Sequence, residues 1–177
     1  MKKTLSLLVV AIIALTSSIN ANAWTDRNTF NLKGLVKAVY ENDNDYATLK
    51  FDEEGSLITE EGCIIERYKN NRIGCIGPVF NYYTFFSDSY YFFSYNKKGQ
   101  VSKTTLESAS GTQETNTYTY NTKGLIISKH TSSFGGESTD ATTYTYQKFD
   151  KYGNWIKRTA KTKYRTEIET RTITYYE

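Results

Sequence analysis

The sequence contains very few of the residues that carry most metal and nucleophile chemistry. Its 177 residues include one histidine, His130, and two cysteines, Cys63 and Cys75. A zinc site built from histidine and cysteine needs more such side chains, and no glycine-rich phosphate-binding loop ending in Gly-Lys-Ser/Thr occurs. We therefore expect no catalytic residue, no metal and no cofactor, and we expect His130 to lie in solvent at the edge of a loop.

An excess of charge of one sign is also missing. The chain has 22 Lys and Arg against 19 Asp and Glu, a net charge of +3. This balance gives no long-range attraction to nucleic acid. A short basic run lies near the C-terminus, and we expect it to line a solvated sheet edge that resists strand addition. Its members are Lys157, Arg158, Lys161, Lys163 and Arg165.

Long apolar runs are absent except at the start of the chain. Lys2 and Lys3 precede an apolar stretch from Leu5 to Leu15, and residues 21–23 read Ala-Asn-Ala. This order is typical of a cleavable secretory signal peptide, and the apolar stretch is too short for a stable membrane span. We expect residues 1–23 to be removed, and residues 24–177 to form one exported domain, periplasmic or at the cell surface, without a transmembrane segment.

Helical periodicity and proline are scarce, whereas tyrosine, threonine and one short motif are abundant. The motif is an aromatic residue, Asp or Asn, two variable residues, Gly, any residue and an apolar residue. Asx at the first turn position accepts hydrogen bonds from amides two residues on, and the glycine supplies the positive φ that ends the turn in a bulge. The predicted hairpin-turn glycines are Gly34, Gly55, Gly99, Gly124 and Gly153.

Such turns place the aromatic residue opposite the apolar residue that follows the glycine by two. The implied pairs are Phe30 with Val36, Phe51 with Leu57, Tyr95 with Val101, Tyr120 with Ile126, and Phe149 with Trp155. A degenerate copy with Asn71 in place of Gly lies between the second and third of these. The sequence therefore predicts an all-β fold, an antiparallel meander of repeated hairpins whose sheet is curled or sandwich-like.

The repeated unit resembles the YD repeat of the RHS/YD-repeat superfamily, whose core is Tyr-Asp-x-x-Gly. The segments that start at Leu32 and at Phe149, with the strand ending at Tyr176, resemble the first and last units of small exported YD-repeat proteins of Bacteroidetes type. The resemblance covers nearly all of residues 24–177. It implies a β-sheet fold and an envelope or surface location, and it implies no catalytic residues.

The two cysteines allow a disulfide in an exported chain. We expect Cys63 and Cys75 to be bonded. A two-residue turn at Asn70-Asn71 would instead put Cys75 opposite Glu66, so that a bulge or a longer loop is needed to bring the sulfurs together.

Aromatic residues are concentrated between Phe80 and Tyr95, where ten of sixteen residues are Phe or Tyr. One interpretation is a central hairpin that is covered on both faces. The other is an exposed platform that stacks on sugar rings or on a protein. The platform residues would be Tyr82, Tyr83, Tyr90 and Tyr91.

We expect a non-catalytic protein with a binding or structural role at the cell envelope, and a glycan or an envelope protein as its partner. The alternative is a carboxylate-dependent hydrolase or lyase acting on polysaccharide, with Asp52 and Glu54 or Glu60 and Glu61 as paired acids. The oxygen-rich residues 41–45 lack the spacing of a calcium loop and predict a polar hairpin turn.

Overall fold

The computed structural model describes residues 24–59, 63–79, 89–133 and 139–177. The predicted signal peptide, residues 1–23, lies outside them. One short helix, α1, is followed by eleven strands. Their bounds are α1 Asp26–Thr29, β1 Val36–Glu41, β2 Leu49–Lys50, β3 Ile64–Arg67, β4 Ile73–Val79, β5 Ser89–Tyr95, β6 Val101–Ser108, β7 Gly111–Tyr120, β8 Ile126–Ser133, β9 Thr139–Phe149, β10 Trp155–Lys161 and β11 Thr166–Tyr175. No helix in these ranges is long and apolar enough to cross a membrane.

All eleven strands belong to one antiparallel sheet. Strands β3 to β11 follow one another in chain order, and β1 and β2 are added beyond β11. The order β2-β1-β11-β10-β9-β8-β7-β6-β5-β4-β3 leaves β2 and β3 as the two edges, so the sheet is open. The predicted antiparallel meander is confirmed.

Four of the five predicted hairpins form in the predicted register. Phe51 faces Leu57 in an isolated bridge, Tyr95 faces Val101, Tyr120 faces Ile126, and Phe149 faces Trp155. The turns at Asn96, Asn121 and Asp150 share one hydrogen-bond pattern, shown by Asn121, whose Oδ1 accepts from the amides of Lys123 and Leu125. Gly124 closes this turn with φ +81°, a conformation that side chains with a Cβ avoid.

The first predicted hairpin is wrong, because Phe30 and Val36 do not pair. Residues 26–29 form α1, and Val36 begins β1 opposite Tyr175. Gly34 has a positive φ of 79°, but its turn leads from the helix into a strand. Since β1 is paired with the C-terminal strand, residues 24–35, here called the N-terminal segment, do not add a strand and instead cross the ends of the other hairpins.

In five units a side chain donates a hydrogen bond to a backbone carbonyl that follows the turn. The acceptor is the residue two after the turn glycine or its Asn71 equivalent. The pairs are Arg27 Nε with Val36 O, Tyr95 OH with Ile73 O, Tyr120 OH with Val101 O, Tyr146 OH with Ile126 O, and Arg171 Nε with Trp155 O. Strands β5, β7, β9 and β11 thereby each donate a side-chain hydrogen bond to the hairpin that precedes them.

The sheet is curled, because residues near its two edges pack on the same side chains. One core cluster is formed by Leu32, Val36, Val39 and Phe51, and the other by Ile73, Ile76, Phe93 and Val101. Phe30 and Leu57 pack against both clusters. The face that carries these clusters is therefore the inside of the curl, and we call it the concave face.

The N-terminal segment holds the two edges of the sheet together. Asp26 has a side chain that is 1% exposed and receives two hydrogen bonds, of 2.5 and 2.7 Å, from the guanidinium group of Arg67 at the end of β3. Its Oδ2 also accepts from the amide of Leu57, beyond β2. Further along the segment, the amide of Lys33 donates to Asn154 Oδ1 in the turn before β10. The curl therefore depends on contacts made by a segment that is not part of the sheet.

The expected disulfide is wrong, since no bond joins Cys63 to Cys75 in the structure. Glu66 is the partner of Cys75, as a two-residue turn requires, and Ile65 is the partner of Ile76. Cys63 lies two residues before Ile65 and packs against the Ile76 cluster. The two cysteines therefore lie on opposite faces of the β3–β4 hairpin, where their side chains point apart.

The predicted edge position of the basic run is also wrong. Lys157, Arg158 and Lys161 lie in β10, whereas Lys163 and Arg165 lie in the turn after it, and β10 is an interior strand. The turn brings Arg158 next to Glu169 and Arg165 next to Glu167. The basic residues therefore do not form one continuous surface.

Candidate functional site

The middle of the concave face, on strands β7 to β11, is only half-buried. The register links Tyr118, Lys129 and Thr142 on this face, and Tyr144 follows Thr142 by two residues. In β9 the concave-face residues are half-buried and the residues between them exposed. A closely packed interior would have buried side chains throughout, so this part of the concave face, apart from the buried Asn116, Trp155 and Ala160, is only partly covered.

Two arginines and three aromatic rings form a compact cluster at this position. The Cζ atom of Arg158 lies 4.1 Å from the ring centroid of Trp155 and 3.9 Å from that of Tyr144. The Cζ atom of Arg171 lies 3.9 Å from the Trp155 ring centroid. Tyr146 borders the same cluster, 6.1 Å from Trp155 between ring centroids. These distances are those of cation–π contacts.

The charges of the cluster are only partly compensated. Nε of Arg158 donates to Glu169 at 2.6 Å. Burial, and then repulsion from Arg158, lowers the pKa of Arg171 to about 10. Burial also raises the pKa of Tyr144 to about 12, against the opposing effect of Arg158. At neutral pH the cluster therefore holds two guanidinium cations and neutral phenols.

A second polar group lies on the concave face, toward the other end of the central strands. Asn116 is buried, donates to Glu114 at 2.6 Å and accepts from the hydroxyl of Thr131 at 2.7 Å. The hydroxyls of Tyr118 and Thr104 are 3.0 Å apart. These groups satisfy one another's hydrogen-bonding capacity on the concave face.

The predicted tyrosine platform is not one surface. Tyr90 and Tyr91 are consecutive in β5, so they point to opposite faces. Tyr91 packs on the Ile73 cluster of the concave face, and burial raises the pKa of its hydroxyl. Tyr90 is 36% exposed on the other face. Tyr82 and Tyr83 lie outside the described residues.

The remaining candidate residues have local roles where the structure describes them. His130 is exposed, but it lies inside β8 and not in a loop after a strand. Oδ1 of Asp52 accepts from the amide of Ser56 within a turn, and Glu54 is exposed. Glu60 and Glu61 are outside the described residues. Within the described ranges, no three His, Cys, Asp or Glu side chains come together as a metal site.

A separate small cavity of about 260 Å³ lies beside the N-terminal segment. It is lined by Trp24, Thr25, Asp26, Glu54, Ser56, Arg67 and Asn71. The indole nitrogen of Trp24 is buried and has no hydrogen-bond partner within the described part of the chain. The Asp26–Arg67 ion pair forms one wall, so this cavity is part of the contact that keeps the sheet curled.

The sequence interpretation missed the concave cluster, although two signals pointed toward it. The Thr-Tyr-Thr-Tyr runs in β7 and β9 put tyrosines on a single face by strand alternation, and the basic run contains Arg158. Assigning that face to the inside of a curl required knowing that Phe30 and Leu57 join the two edges, which local patterns do not encode.

Comparison with protein-family models finds none that matches this chain, and comparison with curated proteins finds no matching sequence.

Proposed function

We propose that this chain is an exported, non-catalytic β-repeat protein that binds a glycan or an envelope protein through the concave face of its sheet. The observation that carries the proposal is the cluster around the buried Trp155, whose neighbours Tyr144, Arg158 and Arg171 are only half-buried. Ring contacts, ion pairs and hydrogen bonds of Tyr144 and Arg158 within the described ranges are all with strands β9 to β11. An aromatic surface that is left uncovered in this way favours a binding role.

The proposed location rests on the N-terminal sequence. Residues 1–23 have the basic start, apolar stretch and Ala-Asn-Ala ending of a signal peptide. We expect protein from expressing cells to begin at Trp24 and to be found in the envelope or medium, as mass spectrometry of fractionated cells would show. A chain that retains residues 1–23 in the cytoplasm would contradict export.

The hairpins support kinship with YD repeats. The turns at Asp52, Asn96, Asn121 and Asp150 all contain a hydrogen bond from the glycine amide back to the Asx carbonyl, and all bond the Asx amide to the carbonyl four residues on. This common geometry gives the Tyr-Asp-x-x-Gly pattern a structural reason. On this proposal the chain is a small, open member of that superfamily.

Binding is tested with a glycan array and an envelope pull-down, using residues 24–177 and two variants. Tyr144→Ala removes a concave-face ring, and Tyr164→Ala removes a 76% exposed ring in the turn before β11. We expect Tyr144→Ala to lose binding by about tenfold or more, since stacking and burial of one ring contribute on the order of 1–2 kcal/mol, and Tyr164→Ala to bind as wild type. Equal binding by all three proteins would contradict the proposed surface. Shortened glycan products would contradict the non-catalytic assignment and favour the carboxylate-dependent hydrolase or lyase.

A further inference from the structure

We infer that the Arg158–Trp155–Arg171 cluster binds the anionic substituent of a sugar, so that the ligand of the concave face is an acidic glycan. This inference rests on the proposed binding function and adds the chemical class of the ligand. It follows from the charges of the two arginines, from their hydrogen bonds and from the hydroxyl of Tyr144.

Arg171 is a half-buried cation that forms no salt bridge with the described residues, although Glu41, opposite it on β1, and Asp150 act on it electrostatically. Its Nε donates to the Trp155 carbonyl at 2.5 Å, and this is its one hydrogen bond to the described residues. No carboxylate in those ranges lies within 4.0 Å of its guanidinium nitrogens. Buried charges in proteins are normally paired and hydrogen-bonded. The remaining N–H groups of Arg171 are therefore available to an external acceptor.

Arg158 strengthens the positive potential and is itself held in place. Glu169 fixes its Nε at 2.6 Å, and Tyr144 and Trp155 lie against its guanidinium plane. One ion-paired carboxylate, Glu169, thus serves two guanidinium groups that meet on the same indole ring, and Glu41 and Asp150 add only electrostatic attraction without a salt bridge to Arg171. An incoming carboxylate, sulfate or phosphate would restore the balance, and the planar fork of arginine suits two-point contacts with such groups.

The surroundings favour a sugar over an isolated ion. The hydroxyl of Tyr144 makes no hydrogen bond to any residue in the described ranges, so it can bind a sugar hydroxyl. Thr142, on the same face of β9, and Lys129, across from it on β8, extend a polar surface away from the cluster. An oligosaccharide can therefore extend along the concave face from a charged sugar unit that is bound at Arg171.

The test uses residues 24–177 with Trp24→Phe, so that Trp155 is the single tryptophan and its fluorescence reports on the cluster. The probes are hexagalacturonate, its carboxyl-reduced neutral counterpart, and sodium sulfate. Arg171→Gln removes the charge that forms no salt bridge, and Arg171→Lys keeps the charge but not the planar fork of the guanidinium group. Arg165→Gln makes the same charge change at an exposed site whose side chain is 69% accessible. Thermal unfolding by circular dichroism checks that each variant is folded.

We expect hexagalacturonate to change Trp155 fluorescence and to bind at least about tenfold more weakly to Arg171→Gln, as the loss of charge-assisted hydrogen bonds implies. Arg165→Gln should bind as wild type, and Arg171→Lys should lie between. If Arg171→Gln is unfolded, the comparison of the acidic and neutral probes on the parent protein decides the matter.

Equal affinity for both oligosaccharides would overturn the acidic-glycan inference and leave the proposed binding function intact. An equal response to sulfate alone would show an anion site without sugar recognition and would also overturn it. If neither oligosaccharide binds, while a different glycan is retained through Tyr144, the inference fails and the binding function stands. Absence of binding to every glycan and envelope protein would refute both.

Discussion

The hydroxyl of Tyr120 donates a 2.6 Å hydrogen bond to the backbone carbonyl of Val101 in the preceding hairpin. The register of β6 with β7 begins at Lys103 and Thr117, beyond Val101, so the tyrosine supplies a donor that the ladder does not. Burial raises the pKa of this hydroxyl well above its ordinary value, which keeps it protonated and able to donate. The same hydrogen bond recurs along the sheet. The spacing of the repeats must therefore place each tyrosine next to the carbonyl of the preceding hairpin.

Tyr120→Phe should therefore destabilise the protein by about 1–3 kcal/mol, because it leaves a carbonyl without a partner. Urea unfolding followed by circular dichroism measures the change. The matched control is Tyr164→Phe, whose ring is 76% exposed and which should be neutral. Equal stability of Tyr120→Phe and wild type would show that water replaces the tyrosine.

Gly124→Ala should lower the free energy of unfolding by about 1–2 kcal/mol, owing to the φ of +81°. The added Cβ would meet only Gln100 Nε2, at 3.3 Å, so the backbone conformation is the main cause. Gly124→Asn should cost less, because Asn tolerates this region and Asn71 already adopts a φ of 63° at the equivalent position. The same urea titration ranks the variants, and an alanine variant as stable as the asparagine variant would contradict this explanation.

Asp26→Ala should destabilise the chain by about 3 kcal/mol, the lower end of the range for breaking a buried ion pair, because Arg67 remains partly hydrated. The exposed pair of Arg165 and Glu167 provides the control, and Glu167→Ala should change stability by about 0–1 kcal/mol. Denaturant unfolding of both variants gives the comparison. If the two effects are alike, Asp26 does not hold the edges of the sheet together.

Stability should fall in acid through Asp150. Burial alone would raise the pKa of this carboxyl, but hydrogen bonds from Tyr175, Asn154 and the Tyr152 amide outweigh it and lower the pKa. A group with a lowered folded-state pKa stabilises the fold above its unfolded value, about 3.9, and this contribution is lost as pH falls through the folded value. Asp150→Asn should reduce the slope of stability against pH below about pH 4. An unchanged slope would contradict the assignment.

Cys75 should react slowly with iodoacetamide in the folded protein, because burial raises the pKa of its thiol. After unfolding without reductant, mass spectrometry should find two alkylated cysteines. Finding the mass of a disulfide instead would mean that the β3–β4 hairpin has a different register from the pairing of Glu66 with Cys75.

The hairpins could be predicted from the residues of their turns, whereas the cluster on the concave face could not be predicted from local sequence. The pairing of Tyr120 with Ile126 follows from an Asx and a glycine four residues apart, so neighbouring residues suffice to predict it. The copy at Gly34 has the same letters but forms no hairpin, because Val36 finds a distant partner in Tyr175. Local sequence does not contain that competition between near and distant partners.

The cluster around Trp155 required the same kind of distant information. The basic run that contains Arg158 was predicted to line a solvated sheet edge, but the turn before β11 makes Arg158 and Glu169 direct cross-strand partners in the interior of the sheet. Tyr90 and Tyr91 were grouped by their chemistry, although strand alternation separates them. In both cases the residue types suggested binding, and only the register showed which of them share a surface.

The concave face is tested most directly by the two indole N–H signals in a ¹H–¹⁵N NMR spectrum of residues 24–177. Trp24→Phe assigns them, and the spectrum is recorded during titration with the tightest ligand from the glycan array. We expect the chemical shift of the Trp155 indole N–H to change in a saturable way, while that of Trp24 stays constant. A ligand that saturates the protein, leaves Trp155 unmoved and shifts the amides of Tyr90 and His130 would place binding on the opposite face and contradict the account.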